Sequence, residues 1–420
     1  MLFKNKISFP IILFSVFILL SLLASFSVNI VHAQVVPWVE WIRSYGDEFE
    51  ATCYSVVGTS DGGYALGGYV GSLLSGSGPY GKADYYLIKT DSLGNIVWNK
   101  TYGGTDYDVC HAMVGTFDGG YALAGSSWSF SNGLSDFWLV KTDSLGNVEW
   151  NQSYGGENTE EAYSLVQTLD GGFALAGYYY TDVGGNDFWV VKTDSQGSME
   201  WTYGGAGYVG IAYSIIETSE GSLAVAGTNG LTVIDSVGLG FRTEGADGVD
   251  CRGVIETDDG GFLLACRIKS IDSDGHELGV IKVDSEGKQV WNRTYGEGYA
   301  NSIIVTDDGG FALVGYTYQG YGNDDFLLVK CDNSGNEQWR RFYGTPEHER
   351  AYSAVETSDG FALAGYIEDW THGHMRDFWL VKTNLQGIPE FPSWIILPLI
   401  LTITLFSIVM KRKLHNIKVS

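Results

Sequence analysis

Positive charge is scarce in this chain: 25 lysines and arginines stand against 50 aspartates and glutamates, giving a formal net charge of −25. Nucleic acids and anionic lipid surfaces are bound mainly through lysine and arginine, so this balance argues against both as partners. Cysteine is scarce as well, and five is an odd number, so at least one thiol is unpaired or bonded to another chain.

Catalytic signatures are also missing. The sequence contains no nucleophile elbow, glycine-rich phosphate loop or zinc-protease helix motif. The acidic residues are numerous but fall in repeated positions, so no pair stands out as a glycosidase couple. We therefore expect a binding protein with no cofactor. A carbohydrate-active enzyme (lyase or glycosidase) and a structural envelope component stay open as alternatives.

Glycine and aromatic residues are plentiful, with 57 Gly, 26 Tyr, 20 Phe and 13 Trp, a composition typical of turns and β-structure. A repeat of about 50 residues accounts for them, a period expected for propeller blades. Its marker T-x-D-G recurs seven times, with the acid at Asp61, Asp118, Asp170, Glu220, Asp259, Asp308 and Asp359. The fourth copy is irregular, with a B–C loop of only about three residues.

Each repeat predicts four strands, A to D, separated by tight turns. Strands B and C are apolar on both faces, which suits a sheet wedged between neighbours. The segment 38–46 resembles a strand D without A, B or C before it, and the last repeat ends at Gly387 without a strand D. The sequence thus predicts an all-β, seven-bladed propeller over residues 35–387, closed by its N-terminal strand.

The two ends of the chain predict export and anchoring. Residues 1–33 have the basic start, apolar run and small cleavage residues of a signal peptide, with an uncleaved anchor as the alternative. Residues 388–393 form a linker, 394–410 a transmembrane helix and 411–420 a basic cytoplasmic tail. We therefore expect a cell-surface protein anchored in the cytoplasmic membrane with the propeller outside.

Three resemblances accompany these motifs. The unit D-G-G-[FY]-A-L-A-G followed by D-F-W-L-V-K-T-D-S-x-G-N-x-x-W resembles the secreted propeller repeats of archaeal and bacterial surface proteins. The stretch 91–98 is similar to the tryptophan-docking motif of quinoprotein propellers and to the Asp-box of sialidases, which implies a structural hairpin only. The tail resembles the archaeal PEF-CTERM sorting signals, which implies enzymatic removal of the helix, with a plain membrane anchor as the alternative.

Ligand binding is predicted on the face that carries the B–C and D–A loops, because these loops vary whereas the A–B and C–D turns are uniform. Exposed aromatic rings beside carboxylates suit sugars or a polypeptide; packing among themselves is the alternative. The candidate aromatic residues are Tyr80, Trp128, Phe130, Tyr179, Tyr180, Tyr318, Tyr321 and Trp370. The candidate acids are Asp106, Asp108, Glu160, Glu161, Asp250 and Glu349.

Three further expectations concern covalent and metal sites. Cys251 and Cys266 lie almost equidistant from an A–B turn, so antiparallel pairing would let them form a disulfide. Sequons at Asn99, Asn151 and Asn292 follow the strand-D tryptophan and predict glycans on the outer strand. Weak metal candidates are a Ca²⁺ loop at Asp272 and Asp274 and a Zn²⁺ or Cu²⁺ site at His348, His372 and His374.

Overall fold

The computed structural model describes residues 38–46, 50–71, 83–181, 185–228, 230–242, 249–269, 276–317, 324–369 and 375–384. Within these ranges the regular structure is entirely β, in seven four-stranded antiparallel sheets. The A strands of neighbouring blades contact one another in a closed cycle, so strand A lies nearest the axis and strand D at the rim. The predicted seven-bladed propeller is confirmed.

The first four blades follow the chain in the order A, B, C, D. Blade 1 has β2 (Ala51–Gly58), β3 (Tyr64–Gly71), β4 (Ala83–Thr90) and β5 (Ile96–Tyr102). Blade 2 has β6 (Asp108–Gly115), β7 (Tyr121–Ser127), β8 (Asp136–Thr142) and β9 (Val148–Tyr154). Blade 3 has β10 (Glu160–Gln167), β11 (Phe173–Thr181), β12 (Gly185–Thr193) and β13 (Met199–Val209). Blade 4 has β14 (Ala212–Glu217), β15 (Leu223–Gly227), β16 (Gly230–Ile234) and β17 (Gly240–Arg242).

The remaining blades repeat this order, except that the last takes its outer strand from the start of the chain. Blade 5 has β18 (Asp250–Glu256), β19 (Phe262–Lys269), β20 (His276–Val283) and β21 (Gln289–Glu297). Blade 6 has β22 (Tyr299–Val305), β23 (Phe311–Thr317), β24 (Asp325–Cys331) and β25 (Glu337–Tyr343). Blade 7 has β26 (His348–Thr357), β27 (Gly360–Asp369), β28 (Met375–Asn384) and β1 (Trp38–Tyr45).

The ring closes where β1 pairs antiparallel with β28. Tyr45 lies opposite Phe378, and Trp38 opposite Asn384. The strand assigned from sequence to this position is therefore the one that completes blade 7. Its pairing covers the sheet edge that the last repeat would otherwise leave open.

The core lies between blades, where large side chains of one sheet meet small ones of the next. In blade 3, Phe173 and Leu175 are fully buried against Ala122 and Ala124 of blade 2. The alternate residues of the same strand, such as Ala174, face blade 4. This large-to-small fit, expected from the two-sided apolar pattern, fills the wedge between sheets.

In blades 1, 2, 5 and 7, a tryptophan and a tyrosine of strand D clamp the blade to the next one. The Tyr154 hydroxyl donates to the Gly197 carbonyl of blade 3 over 2.6 Å. Gly197 has φ of +82°, and a Cβ there would lie 2.6 Å from the Trp150 ring, so only glycine fits. The same hydrogen bond recurs from Tyr45, Tyr102 and Tyr295. The repeated D-S-x-G motif is thus a structural joint.

A second repeated joint lies on the same face of the ring, which we call the turn face because it carries the A–B and C–D turns. In blade 3, Asp170 accepts hydrogen bonds from Thr168 and from the Gly172 backbone, and its other oxygen lies 2.8 Å from the buried Lys192 ammonium. Burial alone would raise the Asp170 pKa, but these hydrogen bonds lower it to about 2. In blade 4, Val233 replaces the lysine, so the joint there has no ammonium.

The predicted signal peptide, linker, transmembrane helix and basic tail all lie outside the described residues. Among the residues that the structure does describe, no helix is long and apolar enough to cross a membrane.

Candidate functional site at the centre of the loop face

The loop face is the face that carries the B–C and D–A loops, and at its centre every strand A contains a β-bulge at the same position. The extra residue of a bulge is left out of the ladder, which bends the strand and re-aims a side chain. The bulged residues, here named the bulge ring, are Tyr54, His111, Tyr163, Tyr213, Arg252, Asn301 and Tyr352. All seven lie in the half of strand A nearest the loop face and are half-buried.

Side chains of the bulge ring contact their neighbours from blade to blade. The Tyr54 ring lies 4.7 Å from Tyr352 and 5.0 Å from His111, measured between centroids. His111 lies 5.0 Å from Tyr163, which lies 5.6 Å from Tyr213. These contacts arrange the side chains of five consecutive blades as an aromatic arc around the axis.

The arc ends in polar side chains on blades 5 and 6. The Arg252 guanidinium lies 4.9 Å above the Tyr213 ring. The Asn301 amide donates a 2.7 Å hydrogen bond to the backbone carbonyl of Ala351. Within the arc, desolvation lowers the His111 pKa to about 4, so its imidazole is neutral at pH 7. The bulge ring therefore presents neutral aromatic side chains on blades 7 and 1 to 4, and guanidinium and amide groups on blades 5 and 6.

Further arginines stack on tyrosines around this ring. The Arg350 guanidinium lies 4.6 Å from the Tyr316 ring of blade 6, and Arg376 lies 4.6 Å from Tyr366. Arg267 is placed 5.0 Å above Tyr299 in the same way. Cation–π contact holds each guanidinium flat on an aromatic face, which fixes its orientation.

Carboxylates complete the site. Glu161 accepts a 3.0 Å hydrogen bond from the Tyr163 hydroxyl, and burial raises its pKa. Glu50 accepts a 3.4 Å hydrogen bond from Tyr69, and its pKa is also raised by burial. Asp250 lies 3.5 Å from the Nε of Arg252. Of the candidate acids, Glu161 and Asp250 thus belong to the centre of the loop face.

Three other candidate acids form hydrogen bonds within their own D–A loops. Asp108 and Glu349 are fully buried, and each accepts a hydrogen bond from a backbone N–H four residues earlier, that of Gly104 or Thr345. Glu160, which is also buried, does the same with Gly156. These carboxyls fold the D–A loops back on themselves, and the structure assigns them to loop packing in place of ligand contact.

The candidate aromatic residues that the structure describes lie farther from the axis. Trp128 and Phe130 follow β7 in the B–C loop of blade 2, whereas Tyr179 and Tyr180, predicted on a loop, lie within β11. Phe130 and Tyr180 are each 44% exposed. Trp128 is half-buried, with its ring edge-on to Tyr107 at 6.2 Å. Tyr179 is half-buried and accepts a 3.2 Å hydrogen bond from Asn158. Tyr80, Tyr318, Tyr321 and Trp370 lie outside the described residues.

The metal candidates are not brought together by what the structure describes. His348 is half-buried, with Nδ1 3.9 Å from Asp324. Asp272, Asp274, His372 and His374 lie outside the described residues. Over the described part of the chain, no group of three histidine, cysteine, aspartate or glutamate side chains has metal-binding geometry.

The structure places the covalent candidates as follows. Cys251 and Cys266 lie opposite each other in the A–B register of blade 5 and are joined as a disulfide. Cys53, Cys110 and Cys331 are buried free thiols. The sequon residues are all exposed on strand D; they are Asn99, Asn151 and Asn292.

Comparison with known proteins finds only limited similarity. No family model matches this chain. The regulatory protein FlaEY of Caulobacter vibrioides is 26% identical over 140 residues, a match that spans 30% of this chain and only 14% of that protein. Its activity therefore gives no assignment here.

Solved structures are similar to this chain only at low identity. The extracellular domain of BT4673 from B. thetaiotaomicron, a candidate hybrid two component system, is 13% identical with a TM-score of 0.49, over 83% of this chain and 42% of that one. Sqt1 from Chaetomium thermophilum is 13% identical with a TM-score of 0.49, over 85% and 87%. A Bacteroides caccae protein of unknown function is 14% identical with a TM-score of 0.43, over 70% and 94%. At these values the likenesses carry no argument about ligand or reaction.

Proposed function

We propose that this protein is a non-enzymatic binding module that takes a glycan or protein ligand on its loop face. In this proposal the protein is exported and held at the cell surface by its C-terminal segment. The observation that supports the binding role is the bulge ring: the same position in every blade departs from the ladder and turns a half-buried aromatic or polar side chain toward one centre. Such bulges are common beside functional sites.

The difference between the two faces supports the same proposal. Turn-face residues such as Asp170 and Lys192 are engaged in hydrogen bonds and ion pairs that repeat from blade to blade. The loop face instead combines tyrosine rings, guanidiniums and carboxylates that differ between blades. A rigid scaffold with variable groups at one end of its strands is the usual arrangement of a recognition surface.

A carbohydrate-active enzyme is a second candidate, and one contact favours it. Glu161, whose pKa is raised by burial, is hydrogen-bonded to Tyr163, and Tyr163 packs on the neutral His111. A carboxyl whose pKa is raised by burial, beside a phenol and a neutral imidazole, has the elements of acid–base catalysis. Assays for sugar release and for unsaturated lyase products, run on the protein's best glycan ligand, separate this candidate from simple binding.

The proposed function is tested with a glycan array, a partner capture and two loop variants. Replacing Phe130 or Trp128 with alanine removes an outer aromatic group while leaving the blade cores intact. We expect weaker binding with a melting temperature close to that of the unchanged protein, because neither ring is fully buried. If these variants unfold yet bind normally per folded molecule, the outer aromatics cover the blades and take no part in recognition.

A further inference from the structure

Cationic side chains, scarce in the chain as a whole, gather at one point of the loop face. Arg350 lies on β26 two residues before Tyr352. Arg376 lies over the Tyr366 ring, which is 6.0 Å from the Tyr352 ring, and Arg252 is the bulge-ring residue of blade 5. Burial raises the pKa of the Tyr352 phenol, and the three guanidiniums oppose the rise. They come from blades 5 and 7, and we call them the arginine cluster. In a protein of net charge −25, this convergence is a local exception.

Each guanidinium of the cluster is held in a similar way. One flat face rests on a tyrosine ring: Tyr213 for Arg252, Tyr316 for Arg350. The third, Arg376, rests on Tyr366. The side chains are nevertheless 33–38% exposed. A guanidinium that is oriented by the protein and still open to solvent loses little freedom when it binds a ligand.

Three of the carboxylates that accompany the cluster lie along the Nε side of a guanidinium, and a fourth, Glu50, lies 3.5 Å from Nη1 of Arg376. Asp324 is 2.5 Å from the Nε of Arg350. Asp250 is 3.5 Å from the Nε of Arg252, and Glu368 is 3.5 Å from that of Arg376. Most of the five N–H donors of an arginine lie on its Nη groups. The Nη ends of Arg252 and Arg350, together with Nη2 of Arg376, are therefore the part of the cluster with which a ligand oxygen would form its hydrogen bonds.

We propose that the arginine cluster binds the carboxylate of a uronate residue in an acidic polysaccharide, whose sugar rings stack on the tyrosines of the bulge ring. Guanidinium and carboxylate form paired, charge-assisted hydrogen bonds. The exposed sides of Tyr54, Tyr163, Tyr213 and Tyr352 offer aromatic faces of a size that suits a pyranose ring. The inference rests on the proposed function, since it names the ligand class for the same face.

The acids of the site distinguish a uronate polymer from a denser polyanion. Glu50, Glu161, Asp250, Asp324 and Glu368 lie among or beside the arginines and tyrosines. They repel a phosphate polymer, a heavily sulfated chain or a polyglutamate segment. Sugar hydroxyls, in contrast, can donate hydrogen bonds to these carboxylates. A ligand with one carboxylate per ring and several hydroxyls satisfies both groups.

The test is calorimetric titration of the full-length protein with trigalacturonate and with neutral α-1,4-galactotriose of the same length and linkage. We expect trigalacturonate to bind more tightly, with an affinity that falls as salt rises. Arg350→Gln and Arg376→Gln should each weaken trigalacturonate binding by about ten-fold or more, because a charge-assisted pair is lost. Arg376→Lys keeps the positive charge but lacks the planar pair of N–H donors of a guanidinium. Its affinity for trigalacturonate should therefore lie between those of the unchanged protein and Arg376→Gln.

Arg293→Gln is the matched control, because Arg293 also lies over an aromatic ring, Trp291 at 5.5 Å, but on the outer strand of blade 5. It should leave binding unchanged, and melting curves of all variants show whether the fold is intact. Equal binding of acidic and neutral trisaccharides, unaffected by the arginine changes, overturns the uronate assignment while the proposed function stands. Tighter binding of hexaglutamate than of trigalacturonate overturns it too. Failure of trigalacturonate, trimannuronate and triglucuronate to bind also rejects it.

Discussion

The rings of Tyr54 and Tyr352 lie 4.7 Å apart, centroid to centroid, across the junction where blade 1 meets blade 7. The two residues are almost 300 positions apart, a separation of about six repeats, and both are the bulged residue of their strand A. Their contact exists only because β1 closes the sheet of blade 7 and so brings the first and last repeats together. Ring closure and the candidate site are therefore linked through the same pair of strands.

Closure is tested first by removing residues 35–46, which deletes β1 and its pairing with β28. The deletion exposes the edge of blade 7 and leaves Phe378 without its neighbour Tyr45 on β1. We expect aggregation or a loss of several degrees in melting temperature. The conservative control Val39→Thr keeps the strand and should melt normally. Unchanged melting of the deletion variant would contradict the closed ring.

Turn-face joints are tested with Asp118→Ala. Asp118 accepts hydrogen bonds from Thr116 and the Gly120 backbone and pairs with the buried Lys141 at 2.7 Å. Because the Asp118 side chain is itself largely exposed, we expect a loss of about 1–2 kcal/mol in the free energy of unfolding. Urea denaturation measures it. Glu220→Ala is the matched control and should cost clearly less, since blade 4 has no lysine at this joint.

Paired buried carboxyls predict an unusual pH dependence of stability. Glu160 lies beside Asp136 at the junction of blades 2 and 3, and burial, with the Asp136 charge adding to it, raises its pKa to about 7. Burial also raises the pKa of Asp84 to about 6 and that of Glu349 to about 7. A raised folded-state pKa means that the folded protein holds its protons more tightly than the unfolded chain does. This stability is therefore present near pH 4.5 and is lost as pH rises through 6 to 7.

Thermal unfolding between pH 4.5 and 8 measures this slope. Glu160→Gln should remove the contribution of one carboxyl group to this slope, so that the free energy of unfolding falls by about 1–3 kcal/mol less across the range. The exposed Glu157→Gln should leave the profile unchanged. A melting temperature that rises steadily over the same range would show that these carboxyls are ionised in the folded protein. The aspartates that pair with lysine affect stability at a lower pH, because the pKa of Asp118, for example, is held at about 2.

The disulfide of blade 5 is tested by peptide mapping without reductant and by Cys266→Ala. The bond closes a loop with a sequence separation of 15. In the chain-entropy description such a loop contributes about 3 kcal/mol, so reduction should lower the melting temperature clearly. Cys110→Ala, which removes a buried free thiol and keeps the disulfide, should cost less and should respond to reductant as the unchanged protein does, whereas Cys266→Ala should not respond. Free thiols at both Cys251 and Cys266 in the map would contradict the assignment.

Most of the architecture could be predicted from the sequence because it is built from repeated local signals. Turn residues such as those around Asp170, apolar alternation such as that of Phe173 and Leu175, and the unmatched segment 38–46 each have a direct structural meaning.

The centre of the loop face was missed because a β-bulge has no signature in a pattern of alternating residues. In an alternating pattern the bulged residue of strand A counts as one more ladder position. It follows a small buried residue, such as Ala162, and is large in most repeats, as at Tyr163 and Tyr213. Aligning the repeats at that position gives tyrosine, histidine, arginine and asparagine, and this was the available signal. The burial of Asp108 and Glu349 could not be predicted from the sequence, because it depends on contacts between blades.

The account's central claim, that ligands bind at the centre of the loop face, is tested most directly by hydrogen–deuterium exchange with the best glycan ligand at saturation. The account predicts added protection in peptides that contain Tyr54, Tyr163 and Tyr352, with the turn-face peptides around Asp61 and Asp118 unchanged. Protection confined to the turn face, or to the outer D strands, would contradict it.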